Sequence, residues 1–111
     1  MAVVRADSAR TIAFGSITGS YTSLGSALTH NWRVFCVTND TDAAIWISFN
    51  ASTNNLYIPA YSFRLYDLST NAANVQDTDG FEMQLQTQFS IKYAVGAPTQ
   101  GIVVAEGLYS R

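Results

Sequence analysis

The feature that most constrains the fold is the run from Val34 to Leu68, in which apolar residues recur at every second position. The segments VFCV, AAIWISF, LYIP and SFRLY are separated by turn-forming Asn, Asp, Ser and Pro, and none has the spacing of an amphipathic helix. Successive side chains of an extended strand point to opposite faces, so a period of two predicts strands joined by turns. We therefore expect a β-sheet core.

Further strands are predicted on both sides of this run. ARTIAFGSI near the N-terminus and GIVVAEGLY near the C-terminus have strand patterns, and NWRVFCVTN is apolar at nearly every position, as a strand covered on both faces would be. The turn at Asn39–Asp42 predicts a hairpin into AAIWISFN. QLQTQFSIKYA alternates most regularly, and its inward residues are predicted to be Leu85, Thr87, Phe89, Ile91 and Tyr93. Roughly eight strands without a helix predict an all-β, antiparallel β-sandwich, most simply of jelly-roll type.

Length and composition predict one domain with an uncharged exterior. A chain of 111 residues is long enough for one core, which we place in residues 9–111, and residues 1–8 have little pattern and are predicted to be an arm that is disordered or ordered only by a partner. Hydrophobic residues make up 48% of the chain, and charged residues make up 13%, against roughly 25% in an average globular domain. A surface with so little charge is typical of a protein that covers part of it with copies of itself or with a partner.

Charge and hydropathy argue against nucleic acid and membrane as direct partners. The net charge is −2, and the six basic residues are scattered along the chain, whereas phosphate binding needs a basic patch. The sequence has neither the long apolar run of a membrane span nor the pattern of a signal peptide, so we expect synthesis in a host cytoplasm. The single cysteine, Cys36, has no partner for an intrachain disulfide.

Catalytic and metal chemistry are not predicted. The only histidine, His30, begins an apolar strand, and the eight carboxylates are spread along the chain without a recognisable acid–base pair. Asp77–Gly80 with Glu82 resembles the start of a calcium loop, but the remaining ligands of that motif are missing, so a solvated turn is the better interpretation. One Cys and one His cannot complete a zinc site. We expect no enzyme activity, no catalytic residue, no metal and no cofactor.

The aromatic residues leave two interpretations open. Core packing explains most aromatic positions in strands. Tyr57, Tyr61 and Trp46, however, flank loops and are out of phase with the apolar faces, so they could form a platform that stacks on sugar rings. A carbohydrate-binding β-sandwich, such as an adhesin module, is therefore one alternative function.

The order of several short motifs resembles a known family. These motifs are Val37–Asp42 before a strand ending in Ile47–Asn50, then Ile58–Ala60 and Leu65–Leu68, and finally Ala97–Gly101 leading into Ile102–Val104. In this order and length the chain is similar, over nearly its whole extent, to the small jelly-roll decoration or cement proteins on the heads of short-tailed double-stranded DNA phages.

The resemblance implies a structural role without a reaction. Proteins of this family bind the outside of the mature head as dimers and staple neighbouring major capsid proteins, which stabilises the shell against the pressure of packaged DNA. It therefore implies a homodimer, the major capsid protein as partner, and a place on the outer capsid surface of the virion. Another small virion component, such as a head-fibre base or a connector subunit, is a further alternative.

Five residues are predicted to contact the partner. Val3, Val4 and Arg5 belong to the predicted arm, which could lie along the capsid, and Tyr57 and Tyr61 are loop aromatics that could serve as anchors. Aromatic and Arg side chains dominate the energetics of most protein interfaces because they bury a large area and lose water on docking.

Overall fold

The computed structural model describes residues 4–68 and 83–110 and contains, within those ranges, nine β-strands and one turn of 3-10 helix at Phe14–Ser16. The strands are β1 Val4–Ala6, β2 Arg10–Ala13, β3 Thr22–Ser23, β4 Trp32–Thr41, β5 Ile45–Ser48, β6 Leu56–Ile58, β7 Ser62–Asp67, β8 Ser90–Tyr93 and β9 Gly101–Ser110. Every pair of neighbouring strands is antiparallel. The prediction of an all-β fold built from antiparallel sheets is confirmed.

The strands form two sheets. The five-stranded sheet has the order β1-β9-β4-β7, and β2 also pairs with β9, beside β1. The four-stranded sheet has the order β3-β8-β5-β6. Long strands β4 and β9, of ten residues each, lie at the centre of the larger sheet and pair with each other. Each sheet therefore offers one face to the other sheet and one face to the outside.

The core lies between the two sheets. It is formed by the inward residues of both sheets and by the connecting loops, namely Ile17, Leu24, Leu28, Trp32, Phe35, Val37, Ile45, Ile47, Ile58, Phe89, Ile91, Val103 and Ala105. The ring of Phe89 lies at its centre, with its centroid 5.7 Å from that of Trp32 and 5.8 Å from that of Phe35. These edge-to-face contacts are a favoured geometry for aromatic pairs and connect the two layers.

The connection from β4 to β5 crosses between the sheets. The predicted hairpin at Asn39–Asp42 is wrong, because β4 pairs with β7 and β9, whereas β5 pairs with β6 and β8. Asn39 is fully buried, and its Nδ2 donates to the carbonyl oxygens of Ala43 (2.9 Å), Ile58 (3.1 Å) and Pro59 (3.0 Å). A buried backbone group needs a hydrogen-bond partner. Asn39 supplies such partners where the chain leaves one sheet for the other.

A bulge at the start of β4 changes which residues face the core. The register with β9 shifts between Trp32 and Val34, so Trp32 lies inside with Phe35, not on the side of Val34 as the simple alternation predicts. The indole of Trp32 occupies the space beside Gly107, where the Cβ of any larger residue would lie 2.1 Å from the ring. The other face of β4 is only partly covered, so the prediction of a strand covered on both faces is wrong.

Only part of the regularly alternating segment QLQTQFSIKYA forms a strand. Ser90–Tyr93 forms β8, but Gln86 has a left-handed φ of 71°, and its N–H donates to the carbonyl of Leu28 at 2.6 Å. This local turn interrupts the period of two. Leu85, predicted inward, is exposed, and Ser90, predicted outward, is buried.

Part of the predicted arm belongs to the sheet. Val4, Arg5 and Ala6 pair with β9, and the N–H of Asp7 donates to the carbonyl of Gly107 at 3.0 Å. The prediction that this segment is disordered or ordered only by a partner is therefore wrong from residue 4 onward. Val3, the polar stretch 69–80 and, within it, the Asp77–Gly80 segment that resembles a calcium loop lie outside the described residues.

Candidate interaction surfaces

The outward face of the five-stranded sheet is apolar. Strand alternation places three neighbouring strands with apolar side chains on this side, and we define the apolar face by Val34 and Cys36 of β4, Phe63 and Leu65 of β7, and Val104 and Leu108 of β9. The register brings them side by side, because Cys36 is opposite Leu65 and Val34 is opposite Leu108. Phe63, Leu65, Cys36, Val34 and Leu108 are therefore neighbours on this face, whereas Thr38 and Glu106 separate Val104 from them.

Phe63 and Leu65 are the most open members of the apolar face. Their exposed fractions are 59% and 60%, whereas the alternate residue Tyr66 turns inward and stacks on Phe35 at a centroid distance of 5.3 Å. The sequence predicts this alternation in β7 but not which side faces water. Large apolar side chains grouped on an open sheet face mark an interaction surface, whereas a single exposed one does not.

A shallow depression of about 330 Å³ opens in the apolar face. It is lined by Ala6, Asp7, Ala9, Val34, Phe35, Cys36, Leu65, Glu106, Gly107 and Leu108. The outward positions of β7 and β9 include the acidic residues Asp67 and Glu106 and no basic residue. A protein surface with an apolar projection would be complementary in shape to this depression.

The structure does not bring the predicted contact residues together. Arg5 pairs with Tyr109 near the end of β9, whereas Tyr61 lies at the opposite end of the same sheet, where its N–H donates to the carbonyl of Thr41 at 3.2 Å. Tyr57 lies on the other sheet. Val4 is the first residue of β1 and pairs with Ser110 of β9. Val3 is outside the described ranges. The apolar face itself was missed, because the choice of open side depends on tertiary packing.

A row of aromatic residues crosses the outward face of the four-stranded sheet. Trp46 of β5 is opposite Tyr57 of β6 and Lys92 of β8, and the rings of Trp46 and Tyr57 lie 5.1 Å apart at 61°. The Lys92 Nζ lies 4.8 Å from the ring centroid of Tyr21, and the hydroxyl of Tyr21 donates to Oδ1 of Asn54. We define the aromatic row as Tyr21, Lys92, Trp46 and Tyr57. Burial of Tyr21 raises its pKa.

Sequence reasoning found only half of the aromatic row. Trp46 and Tyr57 are distinguished by being out of phase with the apolar faces, whereas no pattern in the sequence distinguishes Tyr21 and Lys92. These two residues join the row because Tyr21 directly precedes β3, which pairs with the strand of Lys92, β8. The signal that unites the four residues is strand register, which the sequence alone does not reveal.

A polar cluster around Asp7 ties the N-terminal segment to the core. The indole Nε1 of Trp32 donates to Oδ2 of Asp7 at 2.8 Å, and the guanidinium of Arg10 and Nδ1 of His30 lie 3.7 Å and 3.5 Å from the same oxygen. Burial raises the pKa of Asp7, but the hydrogen bonds from Trp32 and the Ser8 N–H and the charge of Arg10 outweigh it, so the pKa is below its ordinary value.

The geometry of His30 does not form a relay. Thr29 Oγ1 lies 3.3 Å from Nδ1 of His30, and the Asp7 carboxylate also faces Nδ1. A histidine that activates a hydroxyl uses one ring nitrogen for the hydroxyl and the other for the carboxylate. His30 instead stacks on Tyr109, with ring centroids 3.7 Å apart. The contacts of this cluster therefore hold two strands and the N-terminal segment together.

Searches for a metal site, for a membrane-spanning helix and for similar proteins give no further indication of function. No group of three or more His, Cys, Asp or Glu residues that could hold a metal ion occurs in residues 4–68 and 83–110. No helix in the same ranges is long and apolar enough to cross a membrane. No family model, curated protein or solved structure matches the chain. The function is therefore argued from the apolar face and the aromatic row themselves.

Proposed function

We propose that this chain is a capsid decoration protein of a short-tailed double-stranded DNA phage. In this proposal it binds the outside of the mature head as a homodimer and staples neighbouring major capsid proteins, and its two sheets form a jelly roll. The observation that carries the proposal is the open apolar face, which gives a physical use to an exterior with little charge. The motif order described above supplies the family.

The size of the apolar face suits a contact that is weak by itself. The three strands that carry it, with ten residues each in β4 and β9 and six in β7, cover about 400 Å² at about 3.3 Å per residue and about 4.8 Å per strand, and the apolar face is only part of that area. An apolar patch of a few hundred Å² is common on monomers and often functional, whereas a standard stable interface buries about 800 Å² on each partner. Symmetric attachment of many copies would make such a contact effective on a shell, because every junction between capsid subunits is reinforced.

Phe63 and Leu65 are the anchors of the proposed contact. Complete burial of such a side chain stabilises by about 1.5 to 3 kcal/mol. The fold itself leaves 59% and 60% of these two residues exposed, so docking would gain about 2 to 3 kcal/mol from the pair. That gain corresponds to about a 30- to 150-fold change in Kd.

Reattachment to stripped heads tests the proposal. Heads freed of this protein are titrated with the wild-type chain and with the double variant Phe63→Ser, Leu65→Ser. We expect the wild type to saturate the heads and to raise the temperature at which they break open, and the double variant to bind about 30- to 150-fold more weakly. Val95→Ser is the matched control, because Val95 is 90% exposed and is not part of the apolar face. If the double variant binds as tightly as the control, the apolar face is not the docking surface.

Copy number separates this proposal from another small virion component. A decoration protein is expected in amounts comparable to the major capsid protein, whereas a connector subunit occurs in rings of a few copies. Quantitative protein composition of the purified particle measures this ratio. A ratio of only a few copies per particle would contradict the proposed role.

A further inference from the structure

We propose that the aromatic row is a carbohydrate-binding site for acidic glycans. The row lies on the outward face of the four-stranded sheet, whereas the apolar face belongs to the other sheet. A chain attached through the apolar face would therefore keep the aromatic row open to solvent. The inference does not depend on the capsid role, because it rests on different residues.

The aromatic row presents ring surface to solvent. Tyr57 is 42% exposed and Trp46 is half-buried, while the strand neighbours of Trp46, Ile45 and Ile47, point to the opposite face and are completely buried. Their rings meet at 61°, so they present two differently inclined surfaces side by side. Trp and Tyr combine an apolar ring with a polar group, which suits a sugar ring that has C–H bonds on its faces and hydroxyls on its rim.

A pre-formed polar loop borders the aromatic row. In the loop between β5 and β6, Asn50 Oδ1 accepts the backbone N–H groups of Ser52 (3.0 Å) and Thr53 (2.8 Å), and Asn55 Oδ1 accepts that of Phe49 (2.9 Å). These bonds fix the loop before any ligand arrives, which reduces the entropy lost on binding. Asn54 is held at the row by the hydroxyl of Tyr21. Its Nδ2 makes no hydrogen bond within the described residues and can donate to a sugar hydroxyl.

The charge of the row selects the class of glycan. The strands of the four-stranded sheet have the sequences TS, SIKY, IWIS and LYI, which contain one basic residue, Lys92, and no carboxylate. The ammonium of Lys92 lies 4.8 Å from the centroid of the Tyr21 ring, and Lys92 is opposite Trp46 in the register of β8 with β5. Ring surfaces around one cation favour a sugar chain that carries carboxylates, because the charge attracts the carboxylate while the rings pack against the sugar.

Tryptophan signals provide the test. The protein is titrated with oligogalacturonate, alginate, hyaluronan and polysialic acid, and with dextran as the neutral comparison. We expect saturable binding of at least one acidic chain, with a shift of the Trp46 indole N–H resonance and little change at Trp32, which is buried in the core. Dextran is expected to bind at least tenfold more weakly. Binding by none of the acidic chains, or equal binding of dextran, overturns the proposal.

Matched variants locate the site. Tyr57→Ala and Lys92→Gln are each expected to weaken binding at least tenfold, whereas Tyr61→Ala leaves it unchanged, since Tyr61 is 58% exposed but belongs to the turn before β7. Thermal unfolding of each variant shows that the fold is retained. Equal loss of binding in Tyr61→Ala, or retention in Tyr57→Ala and Lys92→Gln, would contradict the assignment. Reattachment of Tyr57→Ala to stripped heads tests the capsid role separately, and we expect it to be normal.

Discussion

Replacing Asn39 with Ala should be one of the most destabilising single changes in the chain. The side chain of Asn39 is fully buried where β4 passes to the other sheet, and its Nδ2 group donates to three backbone carbonyl oxygens. Its Oδ1 accepts the N–H of Thr41 at 3.1 Å and the Thr41 hydroxyl at 2.6 Å. Ala at this position removes these bonds, and of the bonded groups the Thr41 hydroxyl and the Ala43 carbonyl still have each other as partners at 3.0 Å.

The magnitude follows from the number of bonds. The two N–H donors of the amide and its oxygen account for about four hydrogen bonds, each contributing about 1 kcal/mol net, and buried groups left unpaired cost more. We expect Asn39→Ala to lower the free energy of unfolding by about 3 to 5 kcal/mol, a large part of the 5 to 15 kcal/mol typical of a domain. At about 4 °C for each kcal/mol, Tm falls by about 12 to 20 °C.

Urea unfolding followed by tryptophan fluorescence measures this effect. Trp32 is buried in the core, so its fluorescence changes when the core unfolds. An unchanged m-value would show that the variant and the wild type expose the same surface area on unfolding. Asn55→Ala is the matched control, because it removes one exposed hydrogen bond to the Phe49 N–H and should cost less than about 1 kcal/mol. If Asn39→Ala is no more destabilising than this control, Asn39 does not hold the crossing between the sheets.

Three other changes have outcomes set by the same structure. Gly107→Ala should destabilise the fold by about 2 kcal/mol or more in urea unfolding, because its Cβ would lie 2.1 Å from the Trp32 ring; wild-type stability would show that the ring moves away freely. The pKa of Asp7 is lower in the folded state than its ordinary value of 3.8, so Asp7 stabilises the fold above that value, and this stability is lost as the pH falls through the folded pKa. Asp7→Asn should therefore be less stable than wild type at pH 7, and the difference in unfolding free energy should narrow below about pH 4. A difference that stays constant over a pH titration would refute this. Phe63→Ser with Leu65→Ser should lower Tm by about 5 to 10 °C, since the fold buries less than half of each side chain and loses about 1 to 2.5 kcal/mol from the pair; a loss of folding in calorimetry would show that these residues serve the core.

The sequence predicts strands well where apolar and polar residues alternate and a turn-forming residue ends the segment. The alternating segments of β5, β6, β7 and β9 are all strands in the structure, and Pro59 follows directly after β6, as expected of a residue that cannot donate to a ladder. Turn chemistry was also found at Asn39–Asp42. The hairpin predicted from it is wrong, because the buried side chain of Asn39 donates hydrogen bonds to three carbonyl oxygens from two segments and the chain passes there into the other sheet.

Long-range pairing explains the features that the sequence did not predict. Residues 4–6 have little apolar pattern, and they are strand because β9 offers them a free edge. The inward and outward sides of β7 follow from Tyr66 packing on Phe35, whereas Phe63 would have been an equally good core residue. The aromatic row depends on the register of β8, β5 and β6 and on the position of Tyr21 just before β3, so the sequence predicts only two of its members. Arg5, Tyr57 and Tyr61 were selected one by one for their side chains, and the structure distributes them over both sheets.

A reconstruction of the finished phage head at side-chain resolution tests the central claim most directly. The account predicts this chain on the outer surface of the shell, with Phe63 and Leu65 covered by the major capsid protein. Absence of the chain from the shell, or an attached chain whose apolar face is open to solvent, would contradict it.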